Sequence, residues 1–225
     1  MSIHAPTVLL DLDGTLINSQ PGIKASCLNA LRSLGYKPDS SLDVSALIGP
    51  PLEDIMRVLL QPYGDDRVIE AVEAYRTDYG ESGLFQSIPY PGIAETLAEL
   101  QQSGAHLYLA TSKRRKFALR ILNHLNFSDH FDGIYGSEDD GSFDHKPELI
   151  ANIVQKHSLS ANDCIMVGDR KYDIIGAQAN NMRALGVLWG YGSRDELETA
   201  GADDFVVQPN DLPTAALKTI ASSRN

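Results

Sequence analysis

Cysteine is scarce in this 225-residue chain, which has only Cys27 and Cys164. Both stand in segments with regular apolar spacing, so we expect buried thiols in a reducing compartment rather than a disulfide framework. Long apolar runs are absent as well, and none approaches the roughly 18 residues that span a membrane. The N-terminus has no basic segment followed by a long apolar one, as a secretory signal would have. We therefore expect a cytoplasmic protein that has no membrane partner.

Positive charge is also scarce, because 19 lysines and arginines face 30 aspartates and glutamates, for a formal net charge of −11. Proteins that bind long nucleic acids carry a basic surface, so a nucleic-acid polymer is not an expected partner. This argument does not extend to a small phosphate, which needs only a locally positive pocket. The oligomeric state is not predicted by any feature of the sequence.

Short apolar runs alternate with helical patterns of about ten residues over most of the chain. Strands are predicted at Val8–Leu12, His106–Ala110, Gly133–Tyr135, Cys164–Val167, Ala184–Leu188 and Phe205–Val207. Such alternation is typical of parallel βαβ units. The expected fold is therefore α/β, with a Rossmann-like, doubly wound parallel sheet.

The segment between Ile17 and Phe85 has helical spacing and no convincing strand. Its helical patterns cover Gly22–Gly35, Pro51–Leu60 and Asp66–Tyr79. We interpret it as an α-helical cap inserted after the first strand, and the turn residues of Pro89–Gly92 as a hinge. The predicted division is a catalytic core of residues 1–16 and 89–225 and a helical cap of residues 17–88.

Polar residues of complementary kinds follow the predicted strands or precede the next helix. They are Asp11, Asp13, Gly14 and Thr15 after the first strand, Thr111, Ser112 and Lys113 after the second, then Lys146, Asp169 and Asp173. Because ligands bind beyond the carboxyl ends of parallel strands, we expect these side chains to meet at one site. The alternation of side chains along a strand places Asp11 and Asp13 on the same side.

Converging carboxylates would repel one another, and some would stay protonated, unless a cation joined them. Oxygen ligands in surroundings without cysteine favour Mg²⁺ over Zn²⁺. Lys146 adds a fixed positive charge, while Thr111 and the amides after it can donate hydrogen bonds to phosphoryl oxygens. The pattern indicates phosphoryl transfer, in which charge neutralisation and positioning supply most of the catalysis.

Each motif by itself also has a purely structural explanation. Asp-Gly-Thr alone is most often a turn, and Thr-Ser-Lys alone is most often a helix cap. The same holds for Arg114-Arg115-Lys116, which we interpret as the surface of a helix that begins near the site. The occurrence of four motifs together, each at a strand end or a helix start, favours catalysis.

These four segments together resemble the signature of the haloacid dehalogenase superfamily, over nearly the whole chain. The resemblance implies that Asp11 attacks phosphorus to form an aspartyl-phosphate, and that Asp13 protonates the leaving alcohol and then activates water. It also implies Mg²⁺ bound by the Asp11 carboxylate, the Asp13 backbone carbonyl and Asp169. Asp173 would then orient a metal-bound water or Lys146. Thr111 and Lys146 complete the expected catalytic group.

Several branches of the superfamily fit poorly. Haloacid dehalogenases have no carboxylic acid at the position of Asp13, and cation-pump ATPases have Thr there. Sugar phosphomutases have a His shortly after the first motif, where this chain has Ile23. Phosphonate hydrolases lack the acid at Asp13 as well. Outside the superfamily, receiver domains also combine Asp, Thr or Ser, and Lys, but they have no Asp-x-Asp-Gly-Thr and no inserted cap.

Several further stretches resemble bacterial 5'-nucleotidases of the phosphoglycolate-phosphatase-like group. They are Ile48–Leu52, Gly83–Phe85, Tyr90–Ile93, Ala110–Lys113, Phe131–Ser137, Gly168–Ala177 and Gly190–Ser193. The resemblance implies hydrolysis of nucleoside 5'-monophosphates, with phosphoglycolate or another small phosphomonoester as the alternative. Proline after the lysine, in Asp144-His145-Lys146-Pro147, is a departure that should not alter the lysine's chemistry.

The cap is expected to select the leaving group, since capped members act mostly on small metabolites. Gly49 and Pro50 belong to a stiff loop that we predict to contact it. The other predicted substrate-binding residues are Gly14, Thr15, Ser112 and Lys113. Further cap candidates for contacts to a base or ribose are Arg57, Arg76, Tyr79 and Phe85.

Overall fold

The computed structural model describes residues 5–39 and 41–223. Its strands are β1 (Thr7–Leu10), β2 (Ile17–Asn18), β3 (Ile88–Pro89), β4 (His106–Arg114), β5 (Gly133–Ser137), β6 (Cys164–Gly168), β7 (Arg183–Val187) and β8 (Asp204–Val206). Six of them form a parallel sheet in the order β5-β4-β1-β6-β7-β8. The expected α/β class and doubly wound parallel sheet are confirmed.

The helices are α1 (Gln20–Ser33), α2 (Leu52–Leu60), α3 (Val68–Glu81), α4 (Ile93–Gln102), α5 (Arg115–His124), α6 (Lys146–Lys156), α7 (Lys171–Ala179), α8 (Arg194–Ala200) and α9 (Leu212–Ser223). Helices α1, α2 and α3 begin and end within two residues of the predicted bounds. Helix α4 follows the same rule, since Ile93, Leu97 and Leu100 recur at helical spacing and all three side chains are fully buried. The apolar period therefore located the helices correctly.

Strand β1 lies at the centre of the sheet, between β4 and β6. Val8, Leu9 and Leu10 are fully buried, as a strand covered on both faces requires. The pleat sends Val8 and Leu10 into one apolar cluster and Leu9 into another on the opposite face. An unbroken apolar run thus fixes β1 in the interior, and the polar residues after Leu10 begin at the edge of the sheet.

Strand β4 is longer than the sequence predicts. It continues past Ala110 to Arg114, with a shift in its register against β5 between Thr111 and Arg114. The polar segment Thr111–Lys113 was expected to follow the strand, and this expectation is wrong. The sequence pattern ends at Ala110 because the apolar run ends there, whereas the backbone pairing continues through the polar residues.

Helices α1, α2 and α3 lie between β2 and β3, which pair with each other as a two-residue antiparallel ribbon. We call residues 19–87, between these strands, the helical insert. The expectation that Ile17–Phe85 contains no strand is wrong at its first residues, because two-residue strands leave no period in a sequence. The predicted boundaries at 16/17 and 88/89 stay a prediction, since the ribbon joins both parts.

The helical insert packs against the rest of the chain at several points. The rings of Tyr79 in α3 and Phe117 in α5 meet edge to face, with their centroids 5.6 Å apart. The guanidinium of Arg170 donates a hydrogen bond to the carbonyl of Ile48 in the insert. One apolar cluster also continues from the sheet into the insert, from Leu109 to Met56. The insert therefore rests closed against the sheet.

Cys27 and Cys164 are free and buried, as expected. Burial raises the pKa of both thiols to about 12, so neither is a reactive thiolate at neutral pH. Among the residues that the structure describes, no helix has both the length and the apolar character needed to cross a bilayer.

Gly22 in α1 provides a test of the packing inside the insert. A Cβ at this position would collide with the carbonyl oxygen of Gly83. Alanine is the better helix former by about 1 kcal/mol, but a backbone carbonyl cannot turn away as a flexible side chain can. We expect Gly22→Ala to lower the free energy of unfolding by about 1–3 kcal/mol, as overpacking does. Urea unfolding followed by circular dichroism measures this.

Lys24→Ala on the same helix is the control, because truncation of this half-buried side chain adds no atom that could collide with the backbone. It should change stability by less than about 0.5 kcal/mol. If Gly22→Ala proved as stable as the unaltered protein, the close approach of α1 to Gly83 would be contradicted.

Candidate active site

Lys146 lies at the centre of the predicted site, at the first turn of α6. Its Nζ is 2.7 Å from Oδ1 of Asp11 and 2.6 Å from Oδ1 of Asp173, and it donates a 2.6 Å hydrogen bond to the Ala110 carbonyl. The side chain is buried. Burial opposes its charge, but the two carboxylates outweigh burial and raise the pKa of Lys146. The ammonium is therefore a permanent charge at this position.

Asp11 directly follows β1 and is buried with Asp169 and Asp173. One carboxylate oxygen from each of the three lies within 4.8 Å of the others. Burial raises the pKa of Asp11 to about 7, against the opposing effect of Lys146. Burial and the neighbouring carboxylates raise the pKa of Asp169 well above its ordinary value. Three carboxyl groups lie beside one ammonium, so a further cation could balance the remaining negative charge.

Both carboxylate oxygens of Asp173 face nitrogen atoms of the protein. Oδ1 is the oxygen that faces Lys146, and Oδ2 accepts a 3.1 Å hydrogen bond from the backbone N–H of Arg170. This second bond caps the start of α7. Asp173 is thus held against Lys146, and its predicted task of orienting Lys146 or a metal-bound water stays a prediction. Its assignment as a residue beside the metal, rather than a ligand, stays a prediction.

Asp169 is enclosed by the turn that follows β1 and by the segment after β7. The backbone N–H of Tyr191 donates a 2.7 Å hydrogen bond to its Oδ2, and Thr15 Oγ1 donates one of 3.4 Å to its Oδ1. A Cβ on Gly14, whose φ is +87°, would collide with the same carboxylate. Gly14 and Thr15 therefore pack on Asp169 and are not on the cavity wall described below, so their assignment to substrate stays a prediction.

Tyr191 was not predicted as a site residue, although Gly190–Ser193 was recognised as a distinctive stretch. A Cβ on Gly190 or Gly192 would also meet Asp169. The signal was the pair of glycines after a strand, which lets the backbone approach a carboxylate closely. It could have been used to predict a contact between this segment and the acidic group.

Asp13 and Lys113 form an ion pair at the opening of the site. Lys113 Nζ is 2.9 Å from Asp13 Oδ2 and donates a 2.9 Å hydrogen bond to the hydroxyl of Tyr79, which comes from the insert. Burial opposes the lysine's charge, but Asp13 and Tyr79 raise its pKa. Oδ1 of Asp13 is buried and has no hydrogen bond to the described residues. That oxygen belongs to a residue of the cavity wall.

A cavity of about 90 Å³ lies between the helical insert and the carboxyl ends of the strands. The predicted residues on its wall are Asp11, Asp13, Gly49, Pro50, Thr111, Ser112, Lys113, Lys146 and Asp173. Thr111 Oγ1 accepts a 3.2 Å hydrogen bond from the backbone N–H of Lys113, which fixes its orientation. Residues from both parts of the chain therefore line one cavity.

Two of the four further cap candidates lie on this wall. Arg76 and Tyr79 line the cavity. Arg57 instead pairs with Asp54 on the surface, 2.9 Å away, with 64% of its side chain exposed. Phe85 is exposed and packs edge to face against His124. Helical spacing explains the difference, because Arg57 is on the solvent side of α2.

Arg114 contradicts the interpretation of Arg114-Arg115-Lys116 as a helix surface. It is the last residue of β4, its side chain is buried, and it lines the cavity. Arg115 and Lys116 do lie on the surface, where they pair with Glu138 and Asp139. The sequence could not separate the three, because the pairing of β4 extends beyond its apolar run.

Arg170 and Tyr172 were also missed as residues of the cavity wall. The side chain of Arg170 donates to the Ile48 carbonyl and, at 2.9 Å, to Oε1 of Glu196. A Cβ on Gly49 would contact both Arg170 and the Tyr172 ring at about 3.3 Å. The loop with Gly49 and Pro50 therefore packs on side chains that directly follow Asp169.

Comparison with known proteins agrees with this geometry. Residues 8–187 match the model of the haloacid dehalogenase-like hydrolase family. A 5'-nucleotidase of Pseudomonas aeruginosa is 41% identical over 198 residues, which are 87% of this chain and 88% of that protein. The tyrosine-protein kinase PtkA of Mycobacterium tuberculosis is 36% identical, over 85% of this chain and 65% of its own length.

Two further comparisons extend the agreement. A phosphoglycolate phosphatase of Vibrio parahaemolyticus is 31% identical, over 88% of this chain and 90% of that protein. The crystal structure of a predicted phosphatase from Clostridium acetobutylicum superposes with a TM-score of 0.86 at 35% identity, over 96% of this chain and all of that one. With its acidic group, its buried lysine and its closed insert, the chain belongs to the haloacid dehalogenase-like hydrolases, as a phosphatase of that family.

Proposed function

We propose that the protein hydrolyses phosphomonoesters with Mg²⁺ through an aspartyl-phosphate on Asp11, and that its substrates are nucleoside 5'-monophosphates. The observation that carries the mechanism is the position of Asp11. It lies on the wall of the cavity beside Lys146, and the same wall carries a second carboxylate, Asp13, whose Oδ1 has no hydrogen bond to the described residues. A nucleophile, a fixed cation and a proton carrier are thus brought together.

In the first step a carboxylate oxygen of Asp11 attacks phosphorus, and the bond between phosphorus and the leaving oxygen breaks. Protonated Asp13 gives its proton to that oxygen, so a neutral alcohol leaves. In the second step Asp13 takes a proton from a water, which attacks phosphorus. Inorganic phosphate and free Asp11 result, and the two steps together consume one water.

Lys113 and Lys146 have different tasks in this scheme. Lys146 holds Oδ1 of Asp11 at 2.7 Å and directs the carboxylate toward the cavity. Lys113 holds only Oδ2 of Asp13, at 2.9 Å, which leaves Oδ1 for the proton transfers. Thr111 and Ser112 on the same wall can donate to the phosphoryl oxygens. Lys113 uses two of its three N–H donors, on Asp13 and Tyr79, so its expected contact with the phosphate stays a prediction.

The acidic group fits Mg²⁺ in its donor chemistry. Asp11 and Asp169 offer carboxylate oxygens, the charge of three acids exceeds that of Lys146, and the group contains no cysteine or histidine. Asp11, Asp169 and the backbone carbonyl of Asp13 would hold the ion, and Asp173 would hold Lys146. When bound, Mg²⁺ would neutralise charge on the phosphoryl oxygens.

Nucleoside 5'-monophosphates are supported as substrates by the similarity to the P. aeruginosa 5'-nucleotidase. The cavity wall also carries the aromatic residues Tyr75, Tyr79, Phe117 and Tyr172, on which a base could stack. Phosphoglycolate is the second candidate, and the observation in its favour is the volume of about 90 Å³. Ligand pockets are usually about 300–1,000 Å³, so a nucleotide requires the insert to move away first.

The buried free thiols support a reducing, cytoplasmic location for this small-molecule phosphatase.

Asp11→Asn tests the covalent step. The amide keeps the shape of the side chain but cannot form the acyl-phosphate, so we expect kcat to fall by about a thousandfold or more, in the range found for lost nucleophiles. Release of inorganic phosphate measures the activity, and thermal unfolding verifies the fold.

Asp139→Asn is the matched control, because Asp139 is an exposed residue that pairs with Lys116 on the surface. It should retain full activity. Residual turnover by Asp11→Asn above a few per cent would rule out Asp11 as the nucleophile.

Binding of Mg²⁺ to the acidic group should depend on pH. The raised pKa of Asp11, about 7, means that the metal-free folded protein holds more protons than the unfolded chain between about pH 4 and 7. Stability of the metal-free protein therefore falls as pH rises through this window. Mg²⁺ replaces those protons, so it should raise the Tm more at pH 8 than at pH 6.

Asp169→Asn should remove most of the Mg²⁺-dependent rise in Tm, whereas exposed Glu198→Gln should leave it intact. A rise that is equal at both pH values, or that survives Asp169→Asn, would place the ion elsewhere.

A substrate panel tests the choice of leaving group. We expect kcat/KM for AMP, GMP, UMP and CMP to exceed that for phosphoglycolate under saturating Mg²⁺. Parallel assays of Asp11→Asn, purified in the same way, measure any contaminating phosphatase. If kcat/KM for phosphoglycolate exceeded that for all four nucleotides by more than tenfold, the nucleotidase proposal would fail, but the phosphatase mechanism would not.

A further inference from the structure

Four charged side chains on the cavity wall have no task in the proposed mechanism. Arg114 and Asp144 come from the sheet side of the cavity, and Arg76 and Glu53 come from α3 and α2 of the insert. The pKa of Asp144 is affected by the other three residues. Burial raises this pKa, Arg114 and Arg76 lower it, and Glu53 raises it further. The four residues therefore form one cluster across the junction of insert and sheet.

Arg114 has an unmet donor within this cluster. Its side chain is only 9% exposed, and its NH1 group is buried without a hydrogen bond to the described residues. The nearest carboxylate, Oδ1 of Asp144, is 3.7 Å away, which is too far for a hydrogen bond. Buried donors in folded proteins nearly always have a partner. A missing partner on a cavity wall points to a ligand.

Arg76 repeats this arrangement from the side of the insert. Its NH2 group bonds to Oε1 of Glu53 at 3.0 Å, while its Nε is buried without a hydrogen bond to the described residues. Each arginine thus has one donor available, and each has an acid nearby. Two guanidinium groups and two carboxylates give the cluster both donors and acceptors with no net charge.

We propose that this cluster is the leaving-group subsite and that it selects a neutral polar alcohol, such as a nucleoside, over an anionic one. This inference rests on the proposed phosphatase function and names the residues that set its specificity. A nucleoside has acceptors for the spare N–H groups of Arg114 and Arg76 and donors for Asp144 and Glu53. The carboxylate of glycolate would face these two acids as well as the two arginines, so the cluster as a whole would not attract it.

The first experiment compares Arg114→Gln with Arg115→Gln, its exposed neighbour on the surface. Substrates are AMP, UMP and phenyl phosphate, whose leaving group has no base or ribose. A lost hydrogen bond to a charged group corresponds to a loss of about tenfold or more. We expect Arg114→Gln to lower kcat/KM for both nucleotides at least tenfold and that for phenyl phosphate at least fivefold less. Arg115→Gln should change neither.

The same comparison on the insert uses Arg76→Gln, with the exposed Arg57→Gln as its control. Loss of nucleotide turnover in Arg76→Gln alone is expected, mainly as a higher KM, because Arg76 has no part in the proton transfers of the scheme. Equal losses in both variants would show that the effect belongs to the charge of the insert and would overturn the assignment of Arg76.

Asp144→Asn tests whether the cluster disfavours an anionic leaving group. Removing one negative charge should raise kcat/KM for phosphoglycolate at least threefold and lower the ratio of AMP to phosphoglycolate. The proposal is overturned if Arg114→Gln harms phosphoglycolate more than AMP, since the cluster would then bind anions. It is also overturned if phenyl phosphate and nucleotides fall equally in a variant that melts at the unaltered temperature.

Failure of the proposed nucleotidase function would look different. The unaltered enzyme would then turn over phosphoglycolate in preference to AMP, UMP and phenyl phosphate, and both proposals would fall. If the unaltered enzyme prefers the nucleotides and Arg114→Gln does not change that preference, only the subsite is refuted.

Discussion

The site depends on the burial of the Lys146 ammonium beside the carboxylates of Asp11 and Asp173, at 2.7 and 2.6 Å. Ions removed from water are costly, and their attraction repays that cost only in good geometry. The geometry comes from the sheet, because Asp11 directly follows β1, which lies between β6 and β4, and α6 begins with Lys146. Without this cation, the pKa of Asp11, which burial already raises to about 7, would be higher still.

The sheet and its helices could be predicted because each signal was local and periodic. The run Val8–Leu10 is apolar at every position, as a strand buried on both faces must be, and α4 repeats its apolar residues at helical spacing. The β2–β3 ribbon could not be predicted in this way, since two residues have no period. Its pairing arises from the fold around it, which brings Ile17 beside Pro89.

The meeting of the candidate site residues could be predicted for a different reason. Asp11, Lys146 and Asp173 follow or precede apolar segments, so the topology alone brings them together. Arg114 could not be recognised in the same way, because it looks like its exposed neighbour Arg115 in the sequence. What separates them is the continued pairing of β4, a long-range interaction that no local pattern records.

The hydrogen bond between Lys113 and Tyr79 gives the helical insert an influence beyond shape. Tyr79 lies in the insert, Lys113 lies in β4, and Asp13 is the third member of the chain of contacts. The ion pair of Lys113 and Asp13 is mostly shielded from water, and the attraction between two charges is stronger where the local dielectric constant is low. Through Tyr79 the insert therefore contributes to the strength of this ion pair as well as to the shape of the cavity.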